Sequence, residues 1–145
     1  MKILILEDDP NAMDIVSMLK QRHEVCHARA ISDFAFYVEY EPGLNAFDKI
    51  LVDATIPNET VKYFDGRSVE YKQKKGLNGC EYLIQHLELF EHIKHKIALR
   101  TAFAAAIYNE DNGFTEQETA FLKELYLINK ISDNLSSQLN EFLVN

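Results

Sequence analysis

Lys2-Ile3-Leu4-Ile5-Leu6-Glu7-Asp8-Asp9-Pro10 opens the chain, and its reading decides the fold. A strand buried on both faces reads as an unbroken apolar run, because no alternate residue has to meet water. Ile3 to Leu6 is such a run. Three acids end it, and Pro10 suits the first turn of a helix, where its missing N–H costs nothing. Ala12, Ile15, Val16 and Leu19 then supply the i, i+3, i+4, i+7 stripe of an amphipathic helix. The unit is strand, acidic turn, helix.

Working outward, the unit recurs. Glu24 to Ala28 reads as a second strand. Ser32 is the expected N-cap of a helix through Tyr40, stopped by Pro42-Gly43. Phe47 to Val52 is a third strand, ending at Asp53. Asn78-Gly79 opens a helix carrying Tyr82, Leu83, Leu87 and Phe90. Lys96 to Arg100 is a fourth strand. Thr115-Glu116-Gln117-Glu118 is a capping box for a helix through Lys123. Leu125 to Ile128 is a fifth strand, and Ser132 caps a last helix with Leu135, Leu139 and Phe142 on one face. Strands alternating with helices give an α/β fold with a doubly wound parallel sheet. Ligands in such sheets sit at the carboxyl ends of the strands.

Length and charge narrow the function. The chain has 145 residues, enough for one domain, expected to span 1–145. Its formal charge of −8 argues against a nucleic-acid footprint, which needs a basic face. The longest apolar run is the seven residues Ala102 to Tyr108, well short of the ~20 that span a bilayer. Glu7-Asp8-Asp9 follows the first strand too closely for a signal peptide. Cys26 and Cys80 form no C-x-x-C pair. The expectation is a cytoplasmic domain that binds neither nucleic acid nor membrane.

The strand ends carry the chemistry. The first ends in Glu7-Asp8-Asp9, the third in Asp53, the fourth in Thr101 and the fifth in Lys130. Carboxylates ahead of a helix also serve its macrodipole, which is the plain reading of the acidic triplet. Asp53 is different, because it follows Ile50-Leu51-Val52 and faces the other acids. Like charges so close disfavour ionisation unless something neutralises them. All-oxygen ligands suit Mg²⁺.

Together these motifs resemble a response-regulator receiver domain of two-component signalling. The matching stretches are Ile3 to Pro10, Leu51-Val52-Asp53 with Pro57 four residues on, Asn78-Gly79, Thr101-Ala102, and Lys130 after the fifth strand. The resemblance implies a flavodoxin-like (βα)5 sheet of strand order 2-1-3-4-5. It implies that Asp53 accepts a phosphoryl group from a sensor histidine kinase or phosphotransfer protein. It makes Asp8 a direct Mg²⁺ ligand, Glu7 a ligand through water, and Asp53 and the Thr55 carbonyl the remaining protein ligands. Lys130 pairs with the phosphate, and the Thr101 hydroxyl relays the change to an output protein or a second copy of the chain. Such a chain is a phosphoacceptor with at most slow self-dephosphorylation, not an enzyme. The chain ends just after the last helix, so output is expected to pass through another protein.

Five features depart from the receiver pattern. Eighteen residues, Asn58 to Lys75, lie between Pro57 and Gly76, where βα loops usually run roughly 2–6. Val61 to Phe64 and Arg67 to Tyr71 read as a β-hairpin about Asp65-Gly66, a type I′ turn signal. This insertion, 58–75, carries five basic residues against three acids. It is expected to rise beside Asp53 as a partner contact, a dimer contact or a lid; the plainer reading is a surface decoration packing Tyr63, Phe64 and Tyr71. The segment from Thr101 to Thr115 is also long, with a helical turn within Ala102 to Tyr108. Ile131 follows Lys130 where the family has a cis proline. Leu127 stands where a switching aromatic is common, with Tyr126 one place off. Phe103 sets an apolar ring two residues after Thr101.

Other signals are read as structural. His92 and His95, at i, i+3, follow a helix whose polar face carries Glu88, Glu91 and Lys94, and His23, Cys26 and His27 sit in an expected strand, where neighbours point to opposite faces. Lys72-Gln73-Lys74-Lys75 is a solvated basic run, Cys80 a core residue, and Phe34, Phe36, Tyr37 and Tyr40 a packing stripe. The rival function is a pseudo-receiver, an adaptor that keeps the fold and ignores phosphate. A Mg²⁺-dependent phosphohydrolase is disfavoured, because no second acid is placed to protonate a leaving group.

Overall fold

A computed structural model describes residues 1–10, 13–131 and 135–145, with the side chains of 13, 14 and 135 excepted. The expected stripe position Ala12, the Ser132 cap and the Leu135 side chain lie outside the described residues.

Five parallel strands form one sheet: β1 (Lys2–Leu6), β2 (Glu24–Ala28), β3 (Lys49–Asp53), β6 (Ile97–Thr101) and β7 (Tyr126–Asn129). Their order is β2-β1-β3-β6-β7, the expected 2-1-3-4-5 arrangement. Every residue of β3 and β6 is buried, as central strands covered on both faces require. Helices α1 (Met13–Lys20) and α7 (Leu135–Val144) cover one face. There Val16, Leu19, Leu139 and Phe142 pack on Ile3, Ile5, Leu51, Ala98 and Ile128. Helices α2 (Ile31–Glu39), α3 (Asn78–Gln85), α4 (Leu87–Phe90), α5 (Ala104–Tyr108) and α6 (Glu116–Glu124) lie on the other side. Their apolar faces meet Leu4, Leu6, Ile50, Val52, Ile97 and Leu99. The odd and even residues of each strand therefore feed separate cores.

The insertion is a two-stranded antiparallel hairpin, β4 (Glu59–Lys62) and β5 (Ser68–Tyr71). Its turn differs from the type I′ expectation. That turn needs positive φ at both central residues, and here only Gly66 has it, at 90°. Instead Phe64-Asp65-Gly66 form a three-residue loop, closed by Gly66 N donating to Tyr63 O and Tyr63 N to Arg67 O. The hairpin does not stand free. Val61, Tyr63 and Tyr71 are buried in the core of the second face.

Two helix boundaries also differ. Ala30, not Ser32, is the N-cap of α2, and no local side chain caps it. The Glu59 carboxylate of β4 accepts from Ile31 N (2.8 Å) and Ser32 N (3.3 Å) instead. The helix expected to run through Phe90 breaks at His86 into α3 and α4. The Thr115–Glu118 capping box is present in both directions.

Candidate functional site

Period-2 alternation assembles the site. Ile3 and Ile5 point to the α1–α7 face, and two residues on stands Glu7. Leu51 leads to Asp53, Ala98 to Arg100 and Ile128 to Lys130 by the same step. Asp53 and Arg100 are cross-strand partners in register. Four charged side chains are thereby collected at the carboxyl edge of the sheet.

Asp53 is 1% exposed. Thr55 secures its Oδ1, with the backbone N–H donating at 3.0 Å and the hydroxyl at 3.2 Å. The Lys130 ammonium donates to Oδ2 at 2.7 Å and lies 3.5 Å from Glu7 Oε2. Lys130 is itself held by its backbone N–H, which donates to Thr101 O. Glu7, Asp8 and Asp53 each bring a carboxylate oxygen within 4.8 Å of the others, the one such cluster of metal-ligating residues among the described residues. Burial, then the Asp53 carboxylate, push Glu7 up to about 7 against the opposing pull of Arg100 and Lys130. The same two causes raise Asp8.

Thr101 is fully buried, and its hydroxyl oxygen accepts from Phe103 N at 2.9 Å. The Phe103 side chain is largely exposed, at 69%. The Lys130–Ile131 peptide is trans. Leu127 and Tyr126 face opposite cores, Tyr126 lying against Phe142.

Gly79 allows the helix to approach. A Cβ there would come within 1.9 Å of the Asp53 carbonyl oxygen. Asn78 beside it donates to Ile56 O and Asn58 Oδ1, and accepts from Gln73 N. The loop after Asp53 and the exit of the hairpin are thus tied to one side chain. Gln73 also donates to Asn112 O, joining the hairpin exit to the loop between α5 and α6.

Arg100 was not among the site residues expected from sequence. Its Nη1 donates to Glu7 Oε2 at 2.5 Å, in a pair whose side chains are 2% and 1% exposed. The signal was present: Arg100 is the one charge inside Ile97-Ala98-Leu99-Arg100-Thr101, a strand buried throughout. Its step of two from Ala98 gives the direction. The set of His23, Cys26 and His27 holds no metal cluster; His27 Nε2 instead meets the Glu7 carbonyl at 2.9 Å.

No family model and no curated protein matches the sequence. Solved structures do. A CheY-like response regulator receiver domain protein from Methanospirillum hungatei aligns over 99% of this chain and 93% of its own, with TM-score 0.56 and 19% identity. The response regulator TrrA of Thermotoga maritima, in complex with Mg²⁺ and BeF, aligns over 97% of both chains, with TM-score 0.54 and 18% identity. The Vibrio cholerae chemotaxis protein CheY4 aligns over 99% of this chain and 95% of its own, with TM-score 0.52 and 18% identity. Likeness at this identity speaks to architecture, and it covers the sheet, its strand order and the edge where Asp53 lies. The chain has the fold of a response-regulator receiver domain, with a hairpin built into its second core.

Proposed function

We propose that the chain is a phosphorylation-controlled signalling receiver. Asp53 accepts a phosphoryl group from the phosphohistidine of a sensor histidine kinase or phosphotransfer protein. The signal then passes through protein–protein contacts to an output partner or a second copy of the chain. The observation that carries this reading is the contact between Lys130 Nζ and Asp53 Oδ2. A strand-end carboxylate steadied by Thr55 and faced by an ammonium is prepared for a gain of negative charge. In the transfer, an Asp53 oxygen bonds to phosphorus while the phosphorus–nitrogen bond to imidazole breaks, its electron pair leaving on the nitrogen. Lys130 meets the charge on the phosphoryl oxygens. Thr101 gives up its contact with Phe103 N to bond the phosphate, which draws the start of the α5 segment with it.

The donor set suits Mg²⁺: three carboxylates within reach of one another, all oxygen. Asp8, Asp53 and the Thr55 carbonyl would hold it, with Glu7 acting through water. When bound, the ion spreads the charge of the transferring phosphoryl. The likeness to TrrA, seen in complex with Mg²⁺ and BeF, supports this assignment. On this reading the chain is a cytoplasmic phosphoacceptor that at most dephosphorylates itself slowly, not an enzyme. No helix among the described residues is long and apolar enough to cross a membrane.

Incubation with acetyl phosphate and Mg²⁺, followed by mass spectrometry, tests it. One phosphoryl group is expected on Asp53, and none in Asp53→Asn. Uptake that persists in the variant, or none in the wild type, overturns the reading. The rival, a pseudo-receiver adaptor indifferent to phosphate, is favoured by one observation: a cation, Arg100, already sits on Glu7. Its mark is a folded wild type that takes up no phosphoryl group.

A further inference from the structure

Arg100 places a charge inside β6, a central parallel strand buried throughout, where apolar residues are the rule. Chains break their own local rules at functional sites more than elsewhere. Arg100 does so next to the acceptor, and its guanidinium is not fully served. Nη1 donates to Glu7, while Nε is buried with no hydrogen-bond partner among the described residues. Stability alone is a weak reason to keep such a group, because buried ion pairs are often no better than apolar replacements.

Charge counting shows what it does to the site. Glu7, Asp8 and Asp53 supply three carboxylates, and Lys130 one ammonium. Without Arg100 the cluster would carry two net negative charges, the complement of a divalent ion. With Arg100 it carries one. Glu7 is further occupied at both oxygens, Oε2 by Arg100 and Oε1 by the backbone N–H of Asp9.

We infer that Arg100 is a resident cation of the acceptor site, a positioning residue that confines Glu7 to an indirect role and weakens Mg²⁺ binding there. The inference rests on the proposed function only in taking Mg²⁺ as the ion. It leaves Asp8 and Asp53 as the carboxylates that meet the ion directly.

The test is a Mg²⁺ titration of the full chain, read by amide chemical shifts at Asp8, Asp53 and Ala54. Arg100→Gln removes the charge but can still hydrogen-bond Glu7, so the fold is retained. Arg100→Leu is run beside it, with Mg²⁺-dependent melting as a second readout. Both neutral variants should bind Mg²⁺ at least about tenfold more tightly than the wild type, and Arg100→Lys should stay close to it. A merely structural pair would shift the melting temperature and leave Mg²⁺ affinity unmoved. Equal affinity in wild type and Arg100→Gln, or no binding in either, overturns the inference. If the affinities differ as expected but Asp53 takes up no phosphoryl group in any variant, the signalling reading fails and the role of Arg100 stands.

Discussion

The Glu59 carboxylate, on the inserted hairpin, accepts the backbone N–H of Ile31 at 2.8 Å, the first residue of helix α2. A helix leaves its first four N–H groups without partners, and α2 has no side chain of its own to serve them. The insertion supplies that cap from 28 residues away. Glu59→Ala is therefore expected to cost about 1 kcal/mol, the usual worth of an N-cap. Glu59→Gln should recover part of it. Urea denaturation checks both; an unchanged midpoint in Glu59→Ala would show that water serves the helix end equally well.

The same hairpin explains where sequence reading stopped short. Four of the five parallel strands were legible because each is built on a compact apolar run, and β2, Glu24–Ala28, from its place between two helical stretches. Asp53, Lys130 and the acid pair were legible because each ends a run. The packing of the hairpin was not, because it depends on contacts distant in sequence. Arg67 reaches Glu39 at 3.2 Å, and Tyr82 donates to the same carboxylate at 3.0 Å. Period and turn chemistry report nothing of such pairs. The local +2 of the insertion is likewise less available than it reads, since Arg67 is paired with Asp65 and Glu39, and Lys72 with Glu70. Arg100 was missed for another reason: its strand was read for the apolar run alone, and the step of two from Ala98 that aims it at the acids went unread.

The buried pair invites a double-mutant cycle. Removing one partner strands the other charge in the interior, which typically costs about 3–5 kcal/mol. Arg100→Leu should lose up to that much stability above about pH 8, where Glu7 is ionised in the wild type. Combining it with Glu7→Leu should restore most of it, because two apolar side chains replace two charges on an apolar sheet face. Guanidinium denaturation of the single and double variants measures the coupling. Additive losses would mean that the two side chains do not depend on each other.

Gly79 sets how closely α3 can approach β3. A Cβ at this position would lie 1.9 Å from the Asp53 carbonyl oxygen and 3.2 Å from Val52 Cγ1. The first obstacle is backbone, which cannot rotate aside, so Gly79→Ala must push the helix off the strand. We expect a loss of more than about 2 kcal/mol, in the range of overpacked cores. In whatever fraction remains folded, Asp53 should take up phosphoryl groups more slowly, because its backbone has moved. Melting temperature and uptake rate are to be measured together. A variant normal in both would mean that helix and strand can separate at no cost.

The acid cluster makes stability depend on pH in an unusual direction. Paired carboxylates commonly have lowered pKa values and stabilise the fold as pH rises. Glu7 is raised instead, from 4.5 to about 7, by burial first and the Asp53 carboxylate second. Between those values the folded chain holds a proton at Glu7 that the unfolded chain has released. Stability therefore falls as pH rises from 4.5 towards 7, and levels off above it. The full shift corresponds to at most about 3 kcal/mol. Asp8, raised by the same two causes, adds to the trend with the same sign. Glu7→Gln has nothing to titrate at this position. The stability difference between wild type and Glu7→Gln should thus shrink or reverse between pH 4.5 and 7, to the disadvantage of the wild type. Taking the difference cancels the contributions of groups common to both proteins. Denaturation midpoints at pH 4.5, 5.5, 6.5 and 7.5 provide the test. A wild type that gains on the variant as pH rises would mean that Arg100 and Lys130 keep Glu7 ionised throughout.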